Sequence, residues 1–101
     1  MAGSRIDKWL WCARFFRTRV TAARYCAEGK IRINRIETNK PHHPVHTGDV
    51  LTFVLGAHVR VIRILALAER RGPPSAARAL YADLAPPSPG NAIDWARLDR
   101  E

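Results

Sequence analysis

The chain has 101 residues, enough for one compact domain and a tail but too few to enclose a large catalytic cavity as well. Its composition, 47% hydrophobic and 26% charged, excludes wholesale disorder, and no apolar run nears the roughly 20 residues that span a bilayer. Seventeen Lys and Arg stand against nine Asp and Glu, a formal net charge of +8, so an anionic partner is the first thing the composition suggests.

Ser4-Arg5-Ile6-Asp7 has the form of a capping box, with Ser4 as N-cap and Asp7 three residues on. Ile6, Leu10 and Ala13 then recur at i, i+4 and i+7, which predicts a helix with one buried face and an end near Arg14. Trp9 falls beside that stripe. Arg5, Lys8 and Cys12 share another face, flanked by Trp11 and Phe15. Phe15-Phe16-Arg17-Thr18-Arg19 reads as a tight connection to a second helix. That helix is capped by Thr18, runs to about Glu28 and stops at Gly29. Val20, Ala23 and Ala27 are its expected apolar stripe, and the short connection makes the two helices an angled or antiparallel pair.

Lys30-Ile31-Arg32-Ile33-Asn34 alternates with period two, a strand with its isoleucines inward. Residues 35–49, with Lys40-Pro41, Pro44 and Gly48-Asp49, read as a long turn-rich connection. Two further strands are expected at 50–55 and 59–67, turned at Gly56-Ala57. Gly72-Pro73-Pro74 breaks the chain, and Ala77, Leu80, Tyr81 and Leu84 give a third helical face starting at Pro74. Residues 4–84 thus form the domain. Residues 85–101 form a Pro-rich linker and a short flexible tail, with Asp94 capping one last helix.

Cys12 and Cys26 lie on separate helices without CxxC spacing, which suits small core hydrophobes better than a disulfide. His42, His43 and His46 share a loop but no ligand spacing, so neither metal nor cofactor is expected. No nucleophile–base set and no phosphate-cradling glycine loop occurs, which argues against an enzyme. The opening Met1 to Arg5 shows no signal-peptide core, so a cytoplasmic protein without a membrane partner is expected.

The basic residues are unevenly placed: residues 1–40 hold ten Lys and Arg against three acids, and the rest hold seven against six. A surface with that concentration of charge favours polyanions by counterion release, although a plain solubility face is the bland alternative. Guanidinium forks on a rigid helix pair suit RNA, whose duplex offers phosphates and 2′-hydroxyls across a shallow groove. The candidate RNA contacts are Arg5, Lys8, Arg14, Arg17, Arg19 and Arg24 on the helix pair, with Lys30, Arg32 and Lys40 on the strand and loop. Trp11, Phe15 and Phe16 read as packing residues, with base stacking as the alternative, and Arg24 has another partner in Glu28 at i, i+4.

The run Arg5-Ile6-Asp7-Lys8-Trp9-Leu10-Trp11, Ala13-Arg14-Phe15-Phe16-Arg17-Thr18-Arg19, Gly29 to Asn34, Lys40-Pro41 and Gly48-Asp49 resembles a known module. This is the RNA-binding domain first described in small-subunit ribosomal protein four, the S-four domain. The aromatic opening, Arg71-Gly72-Pro73 and Leu80-Tyr81 bring it nearer to a subfamily of ribosome-associated bacterial heat-shock proteins of about fifteen kilodaltons. The resemblance implies an α+β fold in which a two-helix L-shaped RNA-binding motif packs on a small, mainly antiparallel sheet, with a further C-terminal helix. It also implies a non-enzymatic RNA-binding protein of the large ribosomal subunit that helps recycle subunits blocked by nascent chain–tRNA; a monomer is expected. Ribosomal RNA is the implied partner, transfer RNA a second, and weak DNA binding is compatible with the charge. A regulator or assembly factor acting on another RNA, or a protein-interaction module for an acidic partner, are the alternatives. Two departures stand out. Asn34 is followed by Arg35 where the family has glycine, and the long basic C-terminal extension of better-known members is missing or reduced to residues 91–101.

Overall fold

The computed structural model describes residues 3–84. The linker and last helix expected beyond Leu84 lie outside the described residues. The fold is α+β, with helices packed on an antiparallel sheet. In chain order it runs β1 (Ser4–Arg5), α1 (Ile6–Cys12), α2 (Arg19–Ala27), β2 (Ile31–Ile33), β3 (Ile36–Thr38), β4 (Pro44–Val45), β5 (Val50–Leu55), β6 (His58–Ile64), α3 (Pro74–Arg78) and β7 (Tyr81–Asp83). Five strands form one sheet in the order β3-β2-β5-β6-β7, and β1 pairs with β4 in a separate two-stranded ribbon.

The start of α1 corrects the capping-box expectation. Ser4 belongs to β1, Arg5 occupies the N-cap, and no side chain caps the helix. The first-turn amides are satisfied by backbone instead: Ile6 N–H donates to His43 O at 2.9 Å and Asp7 N–H to Pro41 O at 3.2 Å. A helix whose first donors are matched by a neighbouring loop has no need of a capping hydroxyl. The predicted stripe is buried as expected, and Trp9 and Cys12 are fully buried with it. Cys12 therefore belongs to the core and not to the basic face that its spacing suggests.

The end of α1 is a Schellman stop: Phe15 N–H donates to Leu10 O at 3.1 Å and Arg14 N–H to Trp11 O at 3.0 Å. Arg14 holds the C′ position at φ 66°, a left-handed conformation that costs an L-residue roughly 1–2 kcal/mol. Helix α2 also stops on a left-handed residue, Gly29 at φ 74°, whose N–H donates to Cys26 O at 3.0 Å. At its start, Thr18 accepts the Thr21 N–H at 3.1 Å, as its N-cap role requires. Its buried face is not the predicted one. Ala22 and Cys26 point inward, whereas Val20 is 67% exposed and Ala27 is exposed too. Alanines occur all around this helix, so composition marks no face. The choice falls to the cysteine and to Tyr25, whose ring stacks near Phe16 at 5.2 Å.

In the sheet, Ile31, Ile33, Leu51, Phe53, Ile62 and Ile64 are buried together with the α1 side chains in one core. The segment read as a long connection contains a hairpin. Ile33 pairs with Ile36 around the two-residue turn Asn34-Arg35, with φ 52° and 73°. Both turn residues are left-handed, the type I′ pattern for which Asn-Gly is the usual signal, and arginine hides that signal. A second correction concerns Tyr81. Helix α3 ends at Arg78, and Tyr81–Asp83 forms an edge strand in which Tyr81 pairs with Ile64 and Asp83 with Ile62. The helical spacing of Leu80, Tyr81 and Leu84 is a coincidence, since Leu80 precedes β7, Tyr81 opens it and Leu84 follows it.

Two side chains lock the layers. The Tyr25 hydroxyl donates to Val54 O at 2.8 Å and accepts from Val54 N–H at 2.9 Å. It does so where the β2–β5 pairing, which covers Leu51 and Thr52, has ended. The Trp9 indole donates to Ala66 O at 2.9 Å, tying α1 to the segment that follows β6.

Candidate nucleic-acid interface

Helix α1 turns its apolar face into the core and so must present its remaining side chains outward. Asp7 is the exception, a carboxylate only 2% exposed at the boundary. It accepts from Lys8 N–H at 2.7 Å and is gripped by both ends of the Arg5 fork, Nε at 3.1 Å and Nη2 at 3.0 Å. Arg19, from the first turn of α2, approaches the same carboxylate at 3.8 Å. A buried carboxylate needs this compensation, and bidentate pairing to arginine supplies it most directly. Asp7 is thus a shared anchor for two arginines whose outer surfaces remain half open to solvent.

Arg5, Arg19 and Lys8 line one cleft of about 380 Å³, with Glu69 on its far side. The Cys12 thiol beneath this group is raised above its usual value by burial. The charges of Lys8, Arg19 and Arg71 work against that rise.

The other predicted contacts are spread more widely. Arg14 sits at the opposite end of α1, with its Nε donating to Gly72 O at 2.9 Å. Arg17 lies exposed in the link between the helices, and Arg24 lies exposed in the last turn of α2. The Arg24–Glu28 pair does not form. Glu28 instead bonds Lys30 at 3.1 Å, and the Lys30 ammonium also sits 6.0 Å from the Tyr25 ring centre. Lys40 is exposed just before the 41–43 loop that meets the start of α1. Arg32 stands apart: it alternates with Ile31 and Ile33, so it points away from the helices, opposite Glu37 and Thr52 in the neighbouring strands. The structure therefore gathers Arg5, Lys8 and Arg19 at one site, with Arg14, Arg17, Arg24, Lys30 and Lys40 around the helix pair and Arg32 on the other sheet face.

One further cation lies outside the expected contacts. Arg71 donates from Nε to Trp11 O at 3.0 Å and from Nη2 to Phe16 O at 3.3 Å, with its guanidinium over the Trp11 ring at 5.7 Å. It closes the C-terminal end of α1 from a segment sixty residues away in sequence. A local pattern has no means of announcing that contact. Trp11 and Phe15 are half-buried and Phe16 is buried, which favours their packing role. Among the described residues no cluster of His, Cys, Asp and Glu could hold a metal ion, and no helix is long and apolar enough to cross a membrane.

An angled basic helix pair braced on a small antiparallel sheet defines a class, the S4-type RNA-binding domain. The S4 domain family matches residues 4–51. The chain belongs to the Heat shock protein 15 family of such domains. It is 38% identical over 81 residues to Heat shock protein 15 of Escherichia coli K12, covering 80% of this chain and 60% of that protein. The homolog from Aeromonas salmonicida is 36% identical over 77 residues, covering 76% and 58%. The trimeric structure of Vibrio cholerae Heat Shock Protein 15 superposes with a TM-score of 0.76 at 34% identity, over 80% of this chain and 81% of that one. The chain thus spans about three fifths of the length of the curated relatives it matches.

Proposed function

We propose that this chain is a non-enzymatic RNA-binding factor that grips structured ribosomal RNA on the large ribosomal subunit and helps to recycle subunits blocked by nascent chain–tRNA. The observation that carries the RNA-binding part is the Asp7 anchor. It orients Arg5, at the N-cap of α1, and Arg19, in the first turn of α2, beside Lys8, so that three cations from two segments form a shaped surface rather than a diffuse charge. Rigid guanidinium pairs of this kind suit phosphates across an RNA groove and add affinity with little sequence preference. The ribosomal destination rests on family membership. The proposed contacts are Arg5, Lys8, Arg14, Arg17, Arg19, Arg24, Lys30 and Lys40, with Arg32 an outlying one on the other sheet face, and Asp7 supports Arg5 and Arg19 without touching RNA. Transfer RNA on the blocked subunit is a second partner of the same chemistry, and DNA a weak one. We propose a cytoplasmic monomer, for which the trimeric Vibrio cholerae relative supplies the competing expectation.

Cross-linking in cells, with sequencing of the attached RNA, tests the assignment alongside sedimentation with ribosomal subunits. Large-subunit RNA should dominate, and the Arg14→Ala/Arg17→Ala/Arg19→Ala triple variant should fold but lose most binding. Binding should also weaken steeply between about 50 and 200 mM salt. Recovery of only messenger or small RNAs would remove the ribosomal role, and normal RNA binding by the triple variant would remove the proposed surface. Sedimentation of the isolated protein at micromolar concentration separates monomer from trimer.

A further inference from the structure

A second cleft, of about 240 Å³, opens where the end of α1, the β5–β6 turn and α3 meet, and three arginines line it: Arg14, Arg60 and Arg78. They come from three separate segments, and among the described residues only one of them has an acidic partner. Arg60 bonds Asp83 at 2.7 Å. Arg14 uses its Nε on the Gly72 carbonyl, which fixes the direction of its fork and leaves the terminal nitrogens over. Arg78 is exposed in the last turn of α3 and has no ion pair among the described residues. Like charges brought together from three elements repel unless an anion joins them.

The rest of the wall is aromatic and apolar. Phe15 and Tyr81 lie with ring centres 4.6 Å apart, the Arg60 guanidinium covers the Phe15 ring at 5.2 Å, and Leu55 borders them. The backbone adds a second indication. Arg14 occupies a left-handed helix stop at which α2 uses glycine, so arginine is present despite its conformational cost.

We propose that this cleft takes one unpaired nucleotide of the bound RNA, its phosphate between Arg14 and Arg78 and its base against the Tyr81 side of the wall. The inference rests on the RNA-binding reading and deepens it, by assigning a site to a strand feature that the Arg5–Lys8–Arg19 cleft does not need. The combination of arginine forks and an aromatic wall is what single-stranded bases require, since every base has a stacking face. A paired base keeps that face covered by its neighbours. The volume lies below the roughly 300–1,000 Å³ typical of clefts for drug-sized ligands, which suits one base and its phosphate.

The test compares a blunt RNA hairpin with the same hairpin carrying one bulged 2-aminopurine, by fluorescence anisotropy and by the emission of the 2-aminopurine. The wild-type protein should prefer the bulged hairpin by about tenfold, equivalent to about 1.4 kcal/mol, and should quench the bulged base. Arg78→Ala should erase the preference while leaving affinity for the blunt hairpin unchanged, and Arg78→Lys should restore part of it. Tyr81→Leu, with its fold checked by circular dichroism, should abolish the quenching. Equal wild-type affinity for the two hairpins, or a preference that survives both Arg78→Ala and Tyr81→Leu, overturns the inference and leaves RNA binding standing. Saturable binding of free AMP that outcompetes the bulged hairpin also overturns it, by moving the ligand to a free nucleotide. Binding to neither hairpin overturns the RNA-binding reading and this inference with it.

Discussion

Replacing Arg14 separates what its backbone costs from what its side chain does. Alanine and glycine both remove the guanidinium, and with it the hydrogen bond to Gly72 O, but only glycine relieves the φ of 66°. The left-handed conformation costs an L-residue roughly 1–2 kcal/mol. Glycine returns roughly 0.4–1 kcal/mol of this through the greater freedom of its unfolded chain. Arg14→Gly should therefore be more stable than Arg14→Ala by about 1 kcal/mol. For a domain of this size that is a difference of roughly 4–8 °C in Tm, read by thermal unfolding followed by circular dichroism. Against wild type, Arg14→Ala should lose about 1 kcal/mol, the worth of one exposed hydrogen bond. RNA affinity should follow the side chain and ignore the backbone. Both variants should bind less tightly by the same factor, about five- to tenfold, with a salt slope shallower by about 0.7–0.9 for the lost phosphate contact. Equal stability of the two variants would refute the strain argument, and wild-type affinity in both would refute the placement of Arg14 at the interface.

Tyr25→Phe leaves both Val54 backbone groups without their hydroxyl partner, so about 2 kcal/mol should disappear from the urea-unfolding free energy and the Val54 amide should exchange faster. Arg35→Gly places glycine at φ 73° in the β2–β3 turn and should raise the unfolding free energy by about 1 kcal/mol; a lower unfolding free energy would show that the contacts of Arg35 outweigh its strain. Burial, and after it the nearby Asp7 charge, push the Cys26 thiol from an ordinary value of 9.0 up to about 12. The raised folded-state value means that its contribution is complete below about pH 9 and is lost as the pH climbs towards about 12, at about 1.4 kcal/mol per pH unit. Stability should therefore fall by about 2 kcal/mol between roughly pH 9 and 10.5, and urea titrations of wild type and Cys26→Ala should show that the variant loses most of this slope.

Much of this architecture could be read from periodicity. The α1 stripe, the Thr18 and Gly29 boundaries of α2, the alternation at Ile31–Ile33 and the Gly56-Ala57 turn each follow from short-range chemistry, and each is where the sequence put it. What escaped depended on distant chain. Ser4 has the spacing of a cap, but the amides it would serve are taken by carbonyls of the 41–43 loop, far along the sequence. The hairpin at Asn34-Arg35 was hidden by a residue that tolerates its turn only with strain, and Tyr81 adopts an extended form because the free edge of β6 offers it a partner. The interface divides in the same way. Counting charges located the basic half of the molecule, but only tertiary contacts group Arg5 and Arg19 around Asp7 and send Arg32 to the other sheet face.

The closed start of α1 bears on how this surface can be tuned. Helix N-termini often hold phosphate through their free amides, a grip built into the backbone and hard to vary. Here the Ile6 and Asp7 amides already serve the 41–43 loop and the Lys8 amide serves Asp7, so that position offers no main-chain cradle. Anion affinity on this face of α1 is left to side chains, most of them exposed and far from the core. At Lys8 such a grip can be strengthened or loosened with the scaffold intact, whereas Arg5 and Arg19 also compensate the buried Asp7 carboxylate, so at those two positions binding strength and folding stability change together.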